Sequence, residues 1–199
     1  MARLLLTCAD SRMPPPPATG GPATGGGPGD LFTVRTLGNL VPVAAHSADT
    51  VAPDDPVGAA VEYAVAVLGV RALTVCGHSG CGAMRSLLHG AHRRQGAAGT
   101  PLTRWLRHGQ DSLQRSRTAP ARFAHGAADD PLERLCLTNI EQQVENLRAH
   151  PAVRDGLGEG RIKVAGMYLD LARTQAFLLT EAGFAAVEDR IPESLAEKV

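Results

Sequence analysis

Arg71-Ala72-Leu73-Thr74-Val75-Cys76 runs directly into Gly77-His78-Ser79-Gly80-Cys81-Gly82, and a helix-compatible segment follows from about Ala83 to His89. The first six residues are a short apolar run of the kind that forms a buried strand. The next six are too rich in glycine and polar side chains to continue it, so they read as a tight turn. A strand, a polar turn and a helix in that order form the repeating unit of an α/β sheet. In such sheets the residues just beyond the strand's C-terminal end are those that meet a ligand.

The same pattern recurs on either side. Arg3–Cys8 and Leu31–Arg35 are further apolar runs, and Arg161–Met167 is a fourth. Between Pro56 and Leu68 the residues Val57, Ala60, Val61, Ala64, Val65 and Leu68 fall at helical spacing, with Asp54 and Asp55 at the positive end of the helix and Gly69 at its close. Pro131–His150 is a long helix with Leu132, Leu135, Cys136, Ile140, Val144 and Leu147 on one side. Two short helices are expected at 101–107 and 111–117. Residues 168–179 are compatible with either helix or strand. Strands alternating with helices predict an α/β fold: a mainly parallel central sheet of four strands with helices on both faces.

The chain has 199 residues, 20 basic and 20 acidic side chains, and a hydrophobic fraction of 44%. That is too apolar and too neutral for a disordered chain. The balanced charge gives no general attraction to nucleic acid or anionic membrane. No apolar run approaches the roughly 20 residues of a membrane helix, and the start, Met1 to Leu6, is too short for an export signal. A cytoplasmic location is therefore expected, with residues 1–199 as one domain. The 22 glycines and 14 prolines exceed the usual share, but residues 13–30 hold the excess, as one Pro/Gly-rich loop.

There are four cysteines, Cys8, Cys76, Cys81 and Cys136. Disulfides are not expected in a reducing compartment. Cys76 lies within a strand and Cys136 on the apolar side of a helix, so both read as small buried hydrophobes. Cys8 and Cys81 each sit at a strand end in a polar turn. Parallel strands put those ends on one edge, so Cys8, Cys81 and His78 can face one ion. Two thiolates and an imidazole suit Zn²⁺, with the fourth tetrahedral position open to a water whose pKa the metal lowers. Alone, His-x-x-Cys is as readily an ordinary turn, and Asp10 with Arg12 as readily a surface ion pair. Together they form a constellation in which Asp10 orients a metal-bound water and Arg12 keeps Asp10 ionised and aimed.

Cys-Ala-Asp-Ser-Arg at 8–12, Gly-Asp-Leu-Phe-Thr-Val-Arg at 29–35, Gly-Asn-Leu-Val at 38–41, Glu-Tyr-Ala-Val at 62–65 and Cys-Gly-His-Ser-Gly-Cys-Gly-Ala-Met at 76–84 resemble the β-class carbonic anhydrases. A weaker likeness continues through Asn139, Val144, Leu147 and Gly166–Tyr168. The chain is also similar to the carbonic-anhydrase-like domains fused to bacterial SulP anion transporters. The resemblance implies a zinc lyase that interconverts CO2 and bicarbonate. It implies Cys8, His78 and Cys81 as zinc ligands and Asp10 with Arg12 as the catalytic pair. In some members the Asp is itself a fourth metal ligand, a role open to Asp10. It implies a fifth, edge strand from Tyr168 onward and assembly as a homodimer or larger homo-oligomer. Val34 and Leu40 are expected near the CO2 pocket. No proton shuttle is assigned, His46 being an isolated histidine.

Three departures from the family pattern stand out. The first motif begins without the usual N-terminal arm, the loop at 13–30 replaces a short helix, and Thr36 replaces an Asn after Arg35. A non-catalytic bicarbonate- or anion-sensing module and a COS or CS2 hydrolase are the alternative functions.

Overall fold

β1 (Arg3–Cys8) and β3 (Ala72–His78) lie side by side in the middle of a six-stranded sheet of order β2-β1-β3-β4-β5-β6. β2 is Leu31–Thr36, β4 is Lys163–Asp170, β5 is Gln175–Thr180 and β6 is Gly183–Ala186. The computed structural model describes residues 3–13, 30–43, 55–93 and 99–187. The first four strands in spatial order pair parallel, and β5 and β6 are added antiparallel. The Pro/Gly-rich stretch apart from Met13 and Asp30, and His46, lie outside the described residues. No helix among the described residues is long and apolar enough to cross a membrane.

The fourth strand runs on through Tyr168 to Asp170, so Tyr168 completes β4 instead of opening a fifth strand. The fifth strand is interior, and β6 is the edge. Asp170 turns the chain by accepting from the amides of Ala172 (3.0 Å) and Arg173 (3.1 Å). β6 has the weak sequence Gly-Phe-Ala-Ala, and its strand character depends on Phe184, which is fully buried and packs edge-on against Tyr168.

Among the described residues six α-helices connect the strands: α1 (Pro56–Glu62), α2 (Gly82–Leu88), α3 (Pro101–Leu106), α4 (Gln110–Thr118), α5 (Pro131–Ala149) and α6 (Pro151–Gly158). Their starts are chemically marked. Asp55, Thr100 and Asp130 accept from backbone amides at the N-termini of α1, α3 and α5, and each of these helices has a proline in its first turn. α1 continues as a π-helical turn, Tyr63–Val67, before Gly69.

Helices on both faces were expected, but the described helices gather on one. Strand register puts Leu4, Leu6, Phe32, Val75 and Gly166 on a common face. α5 packs there through Ile140, α1 through Val57 against Leu6, and the π-turn through Tyr63 against Phe32. The opposite face carries Leu5, Thr74, Ala165, Met167 and Leu178, which are half-buried or exposed. Handedness explains this. The connections from β2 to β3 and from β3 to β4 both advance the same way across the sheet, and right-handed crossovers then place both on the same face.

Gly77 lies directly beneath Ile140 of α5. A Cβ there would lie 2.7 Å from Cγ1 and 2.8 Å from Cδ1 of Ile140. Gly77→Ala is expected to destabilise the protein by about 1–3 kcal/mol through overpacking. Thermal unfolding of the variant, alone and combined with Ile140→Val, checks this, with the second change expected to recover part of the loss.

Candidate metal centre

Cys8 closes β1, and His78 closes the adjacent parallel strand β3. Cys81 caps the N-terminus of α2 three residues later. The chain reverses between them at Gly80, whose φ of 62° is in the left-handed region. All three side chains are 1% exposed, and one ligand atom from each lies within 4.8 Å of the others.

The donor set can be tested against zinc. Tetrahedral coordination with Zn–S near 2.3 Å separates two sulfurs by about 3.8 Å. The Cys8 and Cys81 sulfurs are 3.9 Å apart, with no disulfide between them. His78 Nδ1 lies 3.0 Å from the Ser79 carbonyl, which can only accept, so Nδ1 carries the proton and Nε2 presents a lone pair. Nε2 is buried and has no hydrogen-bond partner among the described residues. A buried acceptor left so is costly unless a cation meets it. The residues therefore fit a zinc ion.

The electrostatics agree. The Cys81 thiol donates toward the Cys8 sulfur, which holds Cys8 well below the ordinary thiol range despite its burial. Cys8 also accepts from the backbone amide of Asp10 (3.4 Å). Cys81 is pushed up by the same hydrogen bond and by burial, because two adjacent thiolates are unfavourable without a positive charge between them. Cys76 and Cys136 lie outside the ligand group and are pushed up to about 12 by burial, as small core residues.

Asp10 and Arg12 form a two-pronged pair beside this group. Arg12 Nε donates to Oδ1 (3.0 Å), Nη2 to Oδ2 (2.7 Å), and the Arg12 backbone amide to Oδ1 (2.9 Å). This holds the Asp10 carboxyl well below the usual carboxylate range. Arg12 Nη2 also donates to the Gly80 carbonyl (3.0 Å), tying the pair to the loop between His78 and Cys81. Asp10 Oδ2 is 3.8 Å from His78 Nε2.

Several contributors escaped the sequence reading. Arg35 clamps the 8–13 segment from the edge strand, donating to the carbonyls of Cys8 (3.1 Å), Asp10 (3.2 Å) and Met13 (3.3 Å). Its signal was available, since a charged residue near the end of a strand that pairs with β1 needs acceptors. Thr36 donates to the Leu40 carbonyl (3.1 Å). Leu40 is fully buried and belongs to the core. Val34 instead lines an apolar cavity of about 470 Å³ beside β2, with Leu37, Val57, Leu102 and Trp105.

Comparison with known proteins agrees with this geometry. The carbonic anhydrase family model matches residues 3–176. A carbonic anhydrase of Synechococcus elongatus is 36% identical over 166 residues, which cover 82% of this chain and 54% of that protein. The chain thus spans about half the length of that relative. The solved structure of the β-carbonic anhydrase CcaA superimposes with a TM-score of 0.74 at 27% identity, covering 93% of this chain and 83% of that one. One of two tetrameric β-carbonic anhydrases from Sordaria macrospora gives a TM-score of 0.65 at 27% identity, over 89% and 79% of the respective chains. With the ligand geometry, the sheet and the family match in agreement, this chain belongs to the β-class carbonic anhydrase family.

Proposed function

We propose that the protein is a zinc-dependent carbonic anhydrase, interconverting CO2 and water with bicarbonate and a proton. One observation carries this: two sulfurs 3.9 Å apart, a buried imidazole lone pair and an arginine-locked carboxylate converge at one sheet edge. Cys8, His78 and Cys81 would hold the zinc, leaving a fourth position for water or substrate. When bound, the zinc supplies the Lewis acidity that makes water nucleophilic near neutral pH.

Asp10 accepts the hydrogen bond of the attacking water and turns its lone pair toward the CO2 carbon. Arg12 keeps Asp10 anionic and fixes its direction, with the Gly80 carbonyl as the anchor. For Asp10 to act instead as a fourth metal ligand, its paired bonds to Arg12 must break. Those bonds support the orienting role as the resting state.

A centre built on two thiols works only where they stay reduced, which supports a cytoplasmic location. The half-exposed apolar sheet face, with Met167 and Leu178, supports assembly with further copies of the chain, as does the tetrameric relative. The balanced net charge supports a small-molecule substrate with no nucleic-acid partner.

Protein purified without chelators is expected to carry about one zinc per chain and to hydrate CO2 in stopped-flow assays. Asp10→Ala is expected to keep the metal and lose about a hundredfold or more of the hydration rate. Arg12→Ala should lose about tenfold or more, through a misdirected carboxylate. Stripping the zinc is expected to abolish activity and lower the melting temperature, both restored on adding it back. Zinc retention with hydration at the uncatalysed rate would instead assign the non-catalytic, bicarbonate- or anion-sensing role. Turnover of COS or CS2 in preference to CO2 would assign the hydrolase.

A further inference from the structure

The turn from Leu37 to Val41 packs against the ends of β1 and β3, and it contains two consecutive left-handed residues. Gly38 has a φ of 76° and Asn39 a φ of 47°. A non-glycine residue stays in that region only where its surroundings hold it there. Here the holding is done by one stripe of α5. Asn139 Nδ2 donates to the Gly38 carbonyl (3.0 Å). Gln143 Oε1 accepts from the Val41 amide (2.8 Å), and Asn146 Nδ2 donates to the Val41 carbonyl (3.0 Å).

The three side chains are also bonded to one another. Gln143 Nε2 donates to Asn139 Oδ1 (3.1 Å), and Asn146 Nδ2 donates to Gln143 Oε1 (3.2 Å). Ser112 of α4 closes the set, donating to Asn139 Oδ1 (2.9 Å) and accepting from Gln143 Nε2 (3.1 Å). Exposures are 0% for Ser112 and Gln143, 1% for Asn139 and 6% for Asn146. Buried amides are expensive unless paired, so this network tolerates only a turn that offers its carbonyls and amide in these positions.

The other side of the turn meets the metal centre. The turn leaves β2 at Thr36, which pairs with Cys8 and accepts from the Ala9 amide through its carbonyl (2.9 Å). A Cβ at Gly38 would lie 2.9 Å from Ala83 Cβ and 3.0 Å from Met84 Cε, in the helix that follows Cys81. The turn is thus wedged between the elements that carry two of the three ligand residues.

We infer that Asn139, Gln143 and Asn146 are positioning residues for the metal centre: as one ladder of amides on α5 they hold the Gly38–Val41 turn against the strand end that carries Cys8 and the helix that follows Cys81. This rests on the zinc site proposed above. Packing that fixes a strand end and a helix start fixes the separation and direction of the sulfurs they carry, on which metal affinity depends. The ladder therefore governs how tightly the metal is held and the geometry of its sulfur ligands.

Zinc affinity by competition with a chromophoric chelator, and the sulfur-to-cobalt charge-transfer band of the cobalt-substituted protein, test this. Asn139→Ala is expected to lose about tenfold or more in zinc affinity and to shift the band. Asn146→Ala should change both in the same direction, by less. Ser112→Ala removes a network partner of the ladder that does not touch the turn. It is expected to lower thermal stability while leaving affinity and band within about twofold of the parent. Equal effects from all three variants, or parent-like affinity and band in folded Asn139→Ala and Asn146→Ala, would overturn the inference. If circular dichroism shows Asn139→Ala unfolded, Asn146→Ala against Ser112→Ala decides by the same criterion. A parent that binds no zinc overturns the site itself, whereas a zinc-binding parent with unchanged ladder variants overturns the ladder alone.

Discussion

Two thiols whose sulfurs sit 3.9 Å apart in a water-poor interior set the constraint on which the rest of this structure depends. Left to themselves, one ionises at the expense of the other, as the opposite displacements of Cys8 and Cys81 show. The neighbouring His78 adds a buried lone pair with no hydrogen-bond partner among the described residues. One small dication would relieve both. The fold can bear the arrangement because β1 and β3 are adjacent and parallel. Their C-terminal ends, and the start of α2, are thereby delivered to one point with little freedom to separate.

Around that point the protein invests hydrogen bonds in the backbone more than in the ligands themselves. Arg35 ties down the carbonyls of the 8–13 segment, Arg12 links Asp10 to the His78–Cys81 loop, and the α5 amides clamp the Gly38–Val41 turn. Each brace comes from a different element and acts on a loop at a strand end. Loops alone would place ligands loosely, and the geometry a metal and a reacting water need is tight. The sheet supplies direction, and these braces supply the remaining precision.

Much of this was legible before the structure was in view. The apolar runs at 3–8, 31–35 and 71–76 became strands, because buried parallel strands need little more than a short β-compatible apolar run between turns. The fourth strand shifted toward Asp170, and β6 went unnoticed, because Gly-Phe-Ala-Ala has little strand signal apart from the aromatic cluster that Phe184 completes. The one-sided helix layer was also hidden. It follows from strand order, which local periodicity does not encode.

By itself the sequence determined the element types and the chemistry of the centre. Cysteine, histidine, aspartate and arginine at strand ends carry their donor properties wherever they are placed. Only the tertiary structure decided how closely the Cys8–Arg12 segment and the His78–Cys81 loop meet, that Arg12 also reaches the Gly80 carbonyl, and that α5 reaches across about a hundred residues to hold the turn at Gly38. The physical reason is that donor chemistry is a property of single residues. Distance and direction between residues so far apart arise only when strand pairing and helix packing bring them together.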